Sequence, residues 1–240
     1  MSRFNAILWD VDGTLLDFLY AQRISISKTL EGIGVIPTDE MVERYSAIND
    51  RCWKLLELGL MTRDELQDRR FVDFFEEYGI ENVDVKAFRE TYLSHLSEIY
   101  RYVENSYELC AMLKGRIKQY VITNGVTAVQ NKKLALSGLY ELMDGVFISD
   151  EVGAAKPSRD YFDYCLERIG ERDPKRLLIV GDSLTSDIKG GVLSGIPTCW
   201  FRPANIFETD ENAEAVYNEF HPDYEIEHLS QVLDIIGLED

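Results

Sequence analysis

The sequence contains little that would suit a secreted, zinc-binding or membrane protein. Only four of its 240 residues are cysteines, and none belongs to a Cys-x-x-Cys pair or has a histidine at metal-ligand spacing beside it. We therefore predict reduced thiols and no disulfide scaffold. No apolar stretch approaches the ~18 residues of a membrane span, and the early run Ala6 to Trp9 is too short for a signal-peptide core. We expect a cytoplasmic protein with no membrane partner.

Basic residues are scarce as well. Lys and Arg number 25 against 43 Asp and Glu, which gives a formal net charge of −18. A negative surface repels nucleic-acid backbones, so we expect no nucleic-acid partner. Eleven of the acidic residues, and no Lys or Arg, fall between Pro203 and Asp240. The rest of the chain is only mildly acidic, which allows a site for a small anion.

Short apolar runs alternate with segments of helical periodicity. Each run is bounded by turn residues, as is typical of a buried strand. The runs are Phe4–Trp9, Ile117–Ile122, Val146–Ile148, Leu177–Val180 and Thr198–Phe201. Helical spacing between them, as in Ala128–Leu136 and Tyr161–Ile169, indicates right-handed crossovers. The predicted fold class is α/β, with a doubly wound, Rossmann-like parallel sheet.

A long stretch from about Tyr20 to Arg101 interrupts this alternation, because it has helical patterns and no strand-like run. Thr62 to Glu65 fits a capping box, which predicts a helix start. One face of that helix carries four aromatic residues that we expect to pack in a core: Phe71, Phe74, Phe75 and Tyr78. We predict an all-helical domain, residues 17–101, inserted into a core domain of residues 1–16 and 102–240.

Polar residues gather just after the predicted strands, where ligands bind in an open parallel sheet. They are Asp10 and Asp12 after the first strand, Thr123 and Asn124 after the second, Lys156 some way after the third, and Asp182 and Asp187 after the fourth. Carboxylates packed closely repel each other unless a cation lies among them, and Mg²⁺ prefers oxygen ligands. The sequence therefore predicts Mg²⁺ beside an anion cradle that would suit a phosphoryl group.

These residue types suit stepwise phosphoryl transfer. Asp10 can act as a nucleophile that forms an aspartyl phosphate, and Asp12 can protonate the leaving alcohol and later deprotonate water. Thr123 and Lys156 would hold phosphate oxygens, with charge on the transferring group offset by the metal. Gly13 permits a tight turn that brings backbone amides to the phosphate.

The motifs resemble those of the haloacid dehalogenase-like hydrolase superfamily. Asp10-Val11-Asp12-Gly13-Thr14 looks like its first motif, Thr123 its second, Lys156 its third, and Gly181-Asp182-Ser183 through Asp187 its fourth. The resemblance implies a Rossmann-like core with a helical cap inserted after the first motif. It also implies a metal held by Asp10, the Asp12 carbonyl, Asp182 and Asp187, with contact from Asp187 either direct or through water.

A closer resemblance, to pyrimidine 5'-nucleotidases that act on modified nucleotides, covers most of the chain. It rests on Tyr45 to Asn49 with Trp53, Gly59 to Leu66, Arg69 to Phe71, and Thr123 to Val126 with Gln130. It also includes Gly181 to Ile188 and Cys199-Trp200. The implied substrate is a small phosphorylated metabolite, specifically a nucleotide.

Candidate substrate-binding residues lie in both predicted domains. Tyr45, Asn49 and Trp53 recur at i, i+4 and i+8, on one helix face that could contact a nucleobase or pack within the helical domain. Phe18 follows the catalytic turn and is a candidate for the leaving-group pocket. In the core domain the candidates are Gly13, Thr14 and Asn124.

Several other functions remain open at this point. A sugar-phosphate phosphatase or phosphomutase would keep all four motifs, and a phosphomutase would differ in how it excludes water. A dehalogenase of the same superfamily would lack Asp12. A phospho-accepting receiver domain combines the same residue types but should be about half this length. We predict a hydrolase of phosphate monoesters, either monomer or homodimer.

Overall fold

The computed structural model describes residues 3–203 and 213–238, which divide into two compact units. The first unit extends to Asp17 and resumes at Tyr102, and the second is the continuous segment Phe18–Arg101. The boundaries expected from the sequence differ from this division by one residue, Asp17.

The first unit is built on a six-stranded sheet in the order β3-β2-β1-β4-β5-β6, and every adjacent pair is parallel. The strands are β1 (Ala6–Trp9), β2 (Lys118–Thr123), β3 (Gly145–Ile148), β4 (Leu177–Gly181), β5 (Thr198–Phe201) and β6 (Tyr224–Ile226). All residues of β1 and β4 are buried, as expected for central strands covered on both faces. The predicted α/β class and its five strands are confirmed, whereas β6 was not predicted.

The second unit consists of four helices: α1 (Phe18–Gly32), α2 (Asp39–Glu57), α3 (Arg63–Tyr78) and α4 (Val85–Glu98). The predicted capping box begins α3, because the Thr62 hydroxyl accepts a hydrogen bond from the Glu65 amide and the Glu65 carboxylate accepts one from the Thr62 amide. Phe71, Phe74 and Phe75 are buried, so the predicted aromatic face does pack in a core.

The described part of the first unit contains seven further α-helices: α5 (Ser106–Leu113), α6 (Thr127–Leu136), α7 (Ser149–Val152), α8 (Arg159–Ile169), α9 (Lys189–Ser194), α10 (Ala213–Glu219) and α11 (Val232–Ile236). A π-helical turn, Leu184–Ile188, leads directly into α9. Tyr161, Phe162 and Cys165 of α8 pack on one face of the sheet. Among the described residues, no helix has the length and hydrophobicity needed to cross a bilayer.

Candidate active site

The carboxyl ends of three adjacent strands supply the polar residues of the candidate site. Asp10 follows β1, Thr123 ends β2, and Asp182 follows β4, in the neighbouring order β2-β1-β4. Lys156 reaches the same place from the segment between α7 and α8. Ligands of open parallel sheets bind at this edge, so the fold brings these residues to the expected position.

Lys156 lies at the centre of the cluster. Its Nζ atom donates hydrogen bonds to Asp10 Oδ1 at 2.6 Å, to Asp187 Oδ1 at 2.7 Å and to the Ile122 carbonyl at 3.1 Å. The side chain is 2% exposed. A lysine this buried requires paired anions, and two carboxylates provide them.

Asp10, Asp182 and Asp187 could together hold a metal ion. One carboxylate oxygen from each lies within 4.8 Å of the others. The three residues come from separate places in the chain: after β1, after β4 and within the π-helical turn. Thr14 donates to Asp182 Oδ1 at 3.0 Å, and the Ser183 amide donates to Asp187 Oδ2 at 3.2 Å. Oxygen-only ligation of this kind suits a hard divalent cation.

Gly13 allows Asp182 to approach the first loop closely. Its φ of +102° is a conformation that disfavours L side chains, and a Cβ atom there would lie 2.3 Å from Asp182 Oδ2. The Gly13 amide, however, donates to the Leu16 carbonyl at 2.8 Å. Gly13 therefore shapes the loop and makes room for Asp182, and its role in binding substrate stays a prediction.

The three carboxylates of the cluster carry more negative charge than the Lys156 ammonium offsets. Burial raises the pKa of Asp10 well above its usual value, the Lys156 ammonium opposes that shift, and Asp187 and Asp182 add to it. Burial, reinforced by the negative charge of Asp187, raises the pKa of Asp182 to about 7. Burial alone would lower the pKa of Lys156, but Asp10 and Asp187 outweigh it and raise that pKa. A bound cation would relieve this repulsion.

Asp12 is held by two side chains of α6. Lys133 Nζ donates to Asp12 Oδ1 at 2.9 Å, and Gln130 Nε2 donates to Asp12 Oδ2 at 2.5 Å. Gln130 Nε2 also lies 3.0 Å from Thr123 Oγ1, which accepts a further hydrogen bond from the Gly125 amide at 3.2 Å. Asp12 and Thr123 therefore share one hydrogen-bonded network.

Two other predicted substrate-binding residues have structural partners instead. Asn124 accepts from the Lys156 amide at 2.8 Å and donates to the Lys156 carbonyl at 2.9 Å, so its amide group fixes the backbone that carries Lys156. Thr14 is fully buried, and its hydroxyl is directed at Asp182. These contacts orient the catalytic candidates Lys156 and Asp182, and a role of Asn124 and Thr14 in binding substrate stays a prediction.

The predicted residues of the second unit fall into two groups. The Tyr45 ring is completely buried, stacks on Phe71 with 5.6 Å between centroids, and meets Tyr92 edge-on. Asn49 is 2% exposed and accepts from Arg70 Nη1 at 2.8 Å. Both side chains are buried within the second unit, and their roles as substrate contacts stay predictions.

Trp53 and Phe18 are both half-buried. Their roles as substrate contacts stay predictions.

Lys133 was not identified from the sequence as a site residue, and Gln130 was named only as part of the family resemblance. The available signal was helical periodicity, because the buried residues of α6 are Val129, Gln130, Lys133 and Leu134. A lysine and a glutamine on the buried face of a helix beside the second motif indicate a buried anionic partner. A third missed contact is Trp200 Nε1, which donates to the Asp182 carbonyl at 2.9 Å.

Known proteins are similar to this chain in sequence and fold over most of its length. The crystal structure of YfnB from Bacillus subtilis, bound to magnesium, superposes with a TM-score of 0.88 at 35% sequence identity, covering 98% of this chain and 100% of that one. PynA of Streptococcus pneumoniae, a pyrimidine 5'-nucleotidase, is 30% identical over 234 residues, which are 97% of this chain and 95% of PynA. YjjG of Escherichia coli, also a pyrimidine 5'-nucleotidase, is 34% identical over 198 residues, 82% of this chain and 86% of YjjG.

The family model for haloacid dehalogenase-like hydrolases matches residues 4–195, which include every core-domain residue of the candidate site except Trp200. Together with relatives aligned over most of their own lengths, this match establishes that the chain belongs to the haloacid dehalogenase-like hydrolase family.

Proposed function

We propose that this hydrolase is a Mg²⁺-dependent phosphomonoesterase that works through an aspartyl phosphate on Asp10 and acts on pyrimidine nucleoside 5'-monophosphates. The observation that carries the proposal is the buried contact of Lys156 with Asp10 and Asp187, with Asp12 two residues from Asp10. A carboxylate nucleophile, a second acid and a fixed cation are what displacement at phosphorus requires.

The carboxylate cluster fits Mg²⁺. Lys156 occupies Oδ1 of Asp10 and Thr14 occupies Oδ1 of Asp182, which within the described residues leaves Oδ2 of each carboxylate for a cation. Both oxygens of Asp187 accept hydrogen bonds, from Lys156 and from the Ser183 amide, and this favours contact through water. The Asp12 carbonyl is the remaining proposed ligand. A bound Mg²⁺ would offset negative charge on the transferring phosphoryl group.

The protein residues then divide the reaction into two displacements. A carboxylate oxygen of Asp10 attacks phosphorus while the bond to the ester oxygen breaks, and the Asp12 carboxyl gives that oxygen its proton. A water molecule next attacks phosphorus and loses a proton to Asp12, and the bond to Asp10 breaks to release phosphate. Lys156 and the Thr123 hydroxyl hold phosphate oxygens during both steps.

The substrate class is supported by the two relatives named as pyrimidine 5'-nucleotidases, since each aligns with more than four-fifths of this chain. Within the second unit, Trp53 and Phe18 retain enough exposed surface to contact a nucleoside. We therefore propose these two aromatic residues, and not Tyr45 or Asn49, as contacts of the leaving group.

Phosphate release from a substrate panel tests the proposal. We expect activity only with Mg²⁺ and a preference for UMP, dUMP, dTMP and CMP over AMP, IMP, glucose phosphates and phosphoglycolate. Preference for sugar phosphates would overturn the substrate class while keeping the chemistry. Isomerisation without phosphate release would indicate a phosphomutase, and a persistent phosphoprotein without turnover would indicate a regulatory domain.

The Asp10→Asn variant tests the nucleophile. We expect turnover to fall at least about 10³-fold while circular dichroism and the melting temperature show a folded protein. Asp163→Asn, on the exposed surface of α8, is the matched control and should retain full activity. Substantial activity of Asp10→Asn would contradict the aspartyl-phosphate mechanism.

A further inference from the structure

Two side chains of α6 bind both oxygens of one carboxylate, that of Asp12. Lys133 takes Oδ1 and Gln130 takes Oδ2, and the two donors are three residues apart on the same face of the helix. A carboxylate on an open loop can rotate about its side-chain bonds. With one donor on each oxygen, this carboxylate is fixed in a single plane.

Burial of the Lys133 ammonium costs free energy. Its side chain is 1% exposed, and a buried ammonium is tolerated only when an anion pairs with it. Asp12, 23% exposed, is that anion and keeps an open side toward solvent. The neighbouring Lys132 is exposed, so α6 could have carried its basic residues outside.

Gln130 is oriented by the same carboxylate. Its Nε2 atom bridges Asp12 and Thr123, while its buried Oε1 atom has no hydrogen-bond partner among the described residues. Turning the amide over would direct Oε1 at the Asp12 carboxylate and create repulsion between two acceptors. Gly125 makes room for this contact, because a Cβ atom there would lie 2.2 Å from Gln130 Nε2.

We propose that Lys133 and Gln130 are positioning residues that aim Asp12 at the ester oxygen and then at the attacking water. The inference rests on the proposed phosphatase function and deepens it. Neither side chain takes part in bond making or breaking: the proton passes between Asp12 and the ester oxygen or water, while the α6 donors keep the carboxyl group in line.

The test compares two leaving groups in the first displacement, with enzyme in excess and Mg²⁺ saturating. Uridine leaving from UMP needs a proton from Asp12, whereas p-nitrophenol leaves readily without one. We expect Lys133→Met to slow uridine release about 10- to 100-fold and p-nitrophenol release less than about threefold. Lys132→Met, on the same helix, should change neither rate.

A second variant guards against a fold defect in Lys133→Met. Gln130→Met leaves the Lys133–Asp12 ion pair in place and should also lower the ratio of the uridine rate to the p-nitrophenol rate. Any disturbance of Thr123 would slow both substrates alike and would leave that ratio unchanged. Equal slowing of both substrates, or no slowing, would overturn the inference and assign α6 a purely structural role. Wild-type protein inactive on both substrates would instead refute the proposed function.

Discussion

Asp182 is the residue whose ionisation links the site most directly to solution conditions. Burial and the neighbouring Asp187 raise its pKa from 3.8 to about 7. An acid whose pKa is higher in the folded than in the unfolded protein binds more protons when folded. The contribution of Asp182 to the free energy of unfolding of the metal-free protein therefore decreases as pH rises from about 4 to about 7.

Mg²⁺ should reverse this trend, because a carboxylate must lose its proton before it binds a metal. We expect Mg²⁺ to raise the melting temperature more at about pH 8 than at about pH 5.5. The two increases should differ by about 3 °C or more. Differential scanning fluorimetry measures this shift. Asp182→Asn should abolish the pH difference, and an equal Mg²⁺ effect at both pH values would contradict the assignment.

At the scale of single elements, α2, α3 and α4 share an aromatic interior. Tyr45 contacts Phe71, Phe74 and Tyr92, and Arg70 lies over the Phe71 ring at 4.8 Å. Offset and edge-to-face contacts between such rings stabilise a core beyond the apolar area that they bury. The Tyr45 ring therefore packs inside the helical unit.

Tyr45→Ala should lower the free energy of unfolding by about 3–5 kcal/mol, because it leaves a large cavity. Tyr45→Phe should leave KM for UMP unchanged, because the Tyr45 ring is completely buried in the aromatic interior. Urea denaturation and steady-state kinetics measure the two effects. Tyr140→Ala, at a residue 48% exposed, is the control and should cost less than about 1 kcal/mol. A tenfold rise in KM for Tyr45→Phe would return Tyr45 to the substrate pocket.

Local patterns were sufficient to predict five strands, the α3 capping box and the main catalytic candidates. They succeed because a short apolar run followed by polar turn residues is a signal contained in neighbouring positions. β6 has only three residues, Tyr224–Ile226, and one of its side chains is charged, so no such signal exists. The spacing of Tyr45 and Asn49 correctly indicates a shared helix face, but spacing does not say what that face meets.

Lys133 shows the other limit of local patterns. Its partner Asp12 is 121 residues away in the chain, and two adjacent lysines look equivalent in sequence until helical phase separates them. The contacts of Asn124 with Lys156 and of Thr14 with Asp182 were not predicted either, because motif position does not specify side-chain direction.

The charge of the whole molecule should affect how substrates arrive. A net charge of −18 repels an anionic phosphate ester, and salt shortens the range of that repulsion from about 30 Å at 0.01 M to about 8 Å at 0.15 M. At fixed Mg²⁺ we expect kcat/KM to rise about two- to tenfold over this range while kcat stays constant. Stopped-flow or initial-rate measurements in KCl would test this. A fall in kcat/KM would mean that the lysines of the site outweigh the overall charge.

The position of β1 also has a consequence for how the protein is made. Its two neighbours begin at Lys118 and Leu177, so both partners lie more than a hundred residues further along the chain. The helical segment Phe18–Arg101 is complete before either partner leaves the ribosome. A newly synthesised chain therefore carries β1 unpaired while the inserted helices already have every residue of their own unit, and the carboxylate cluster is complete only after Asp182 and Asp187 have left the ribosome.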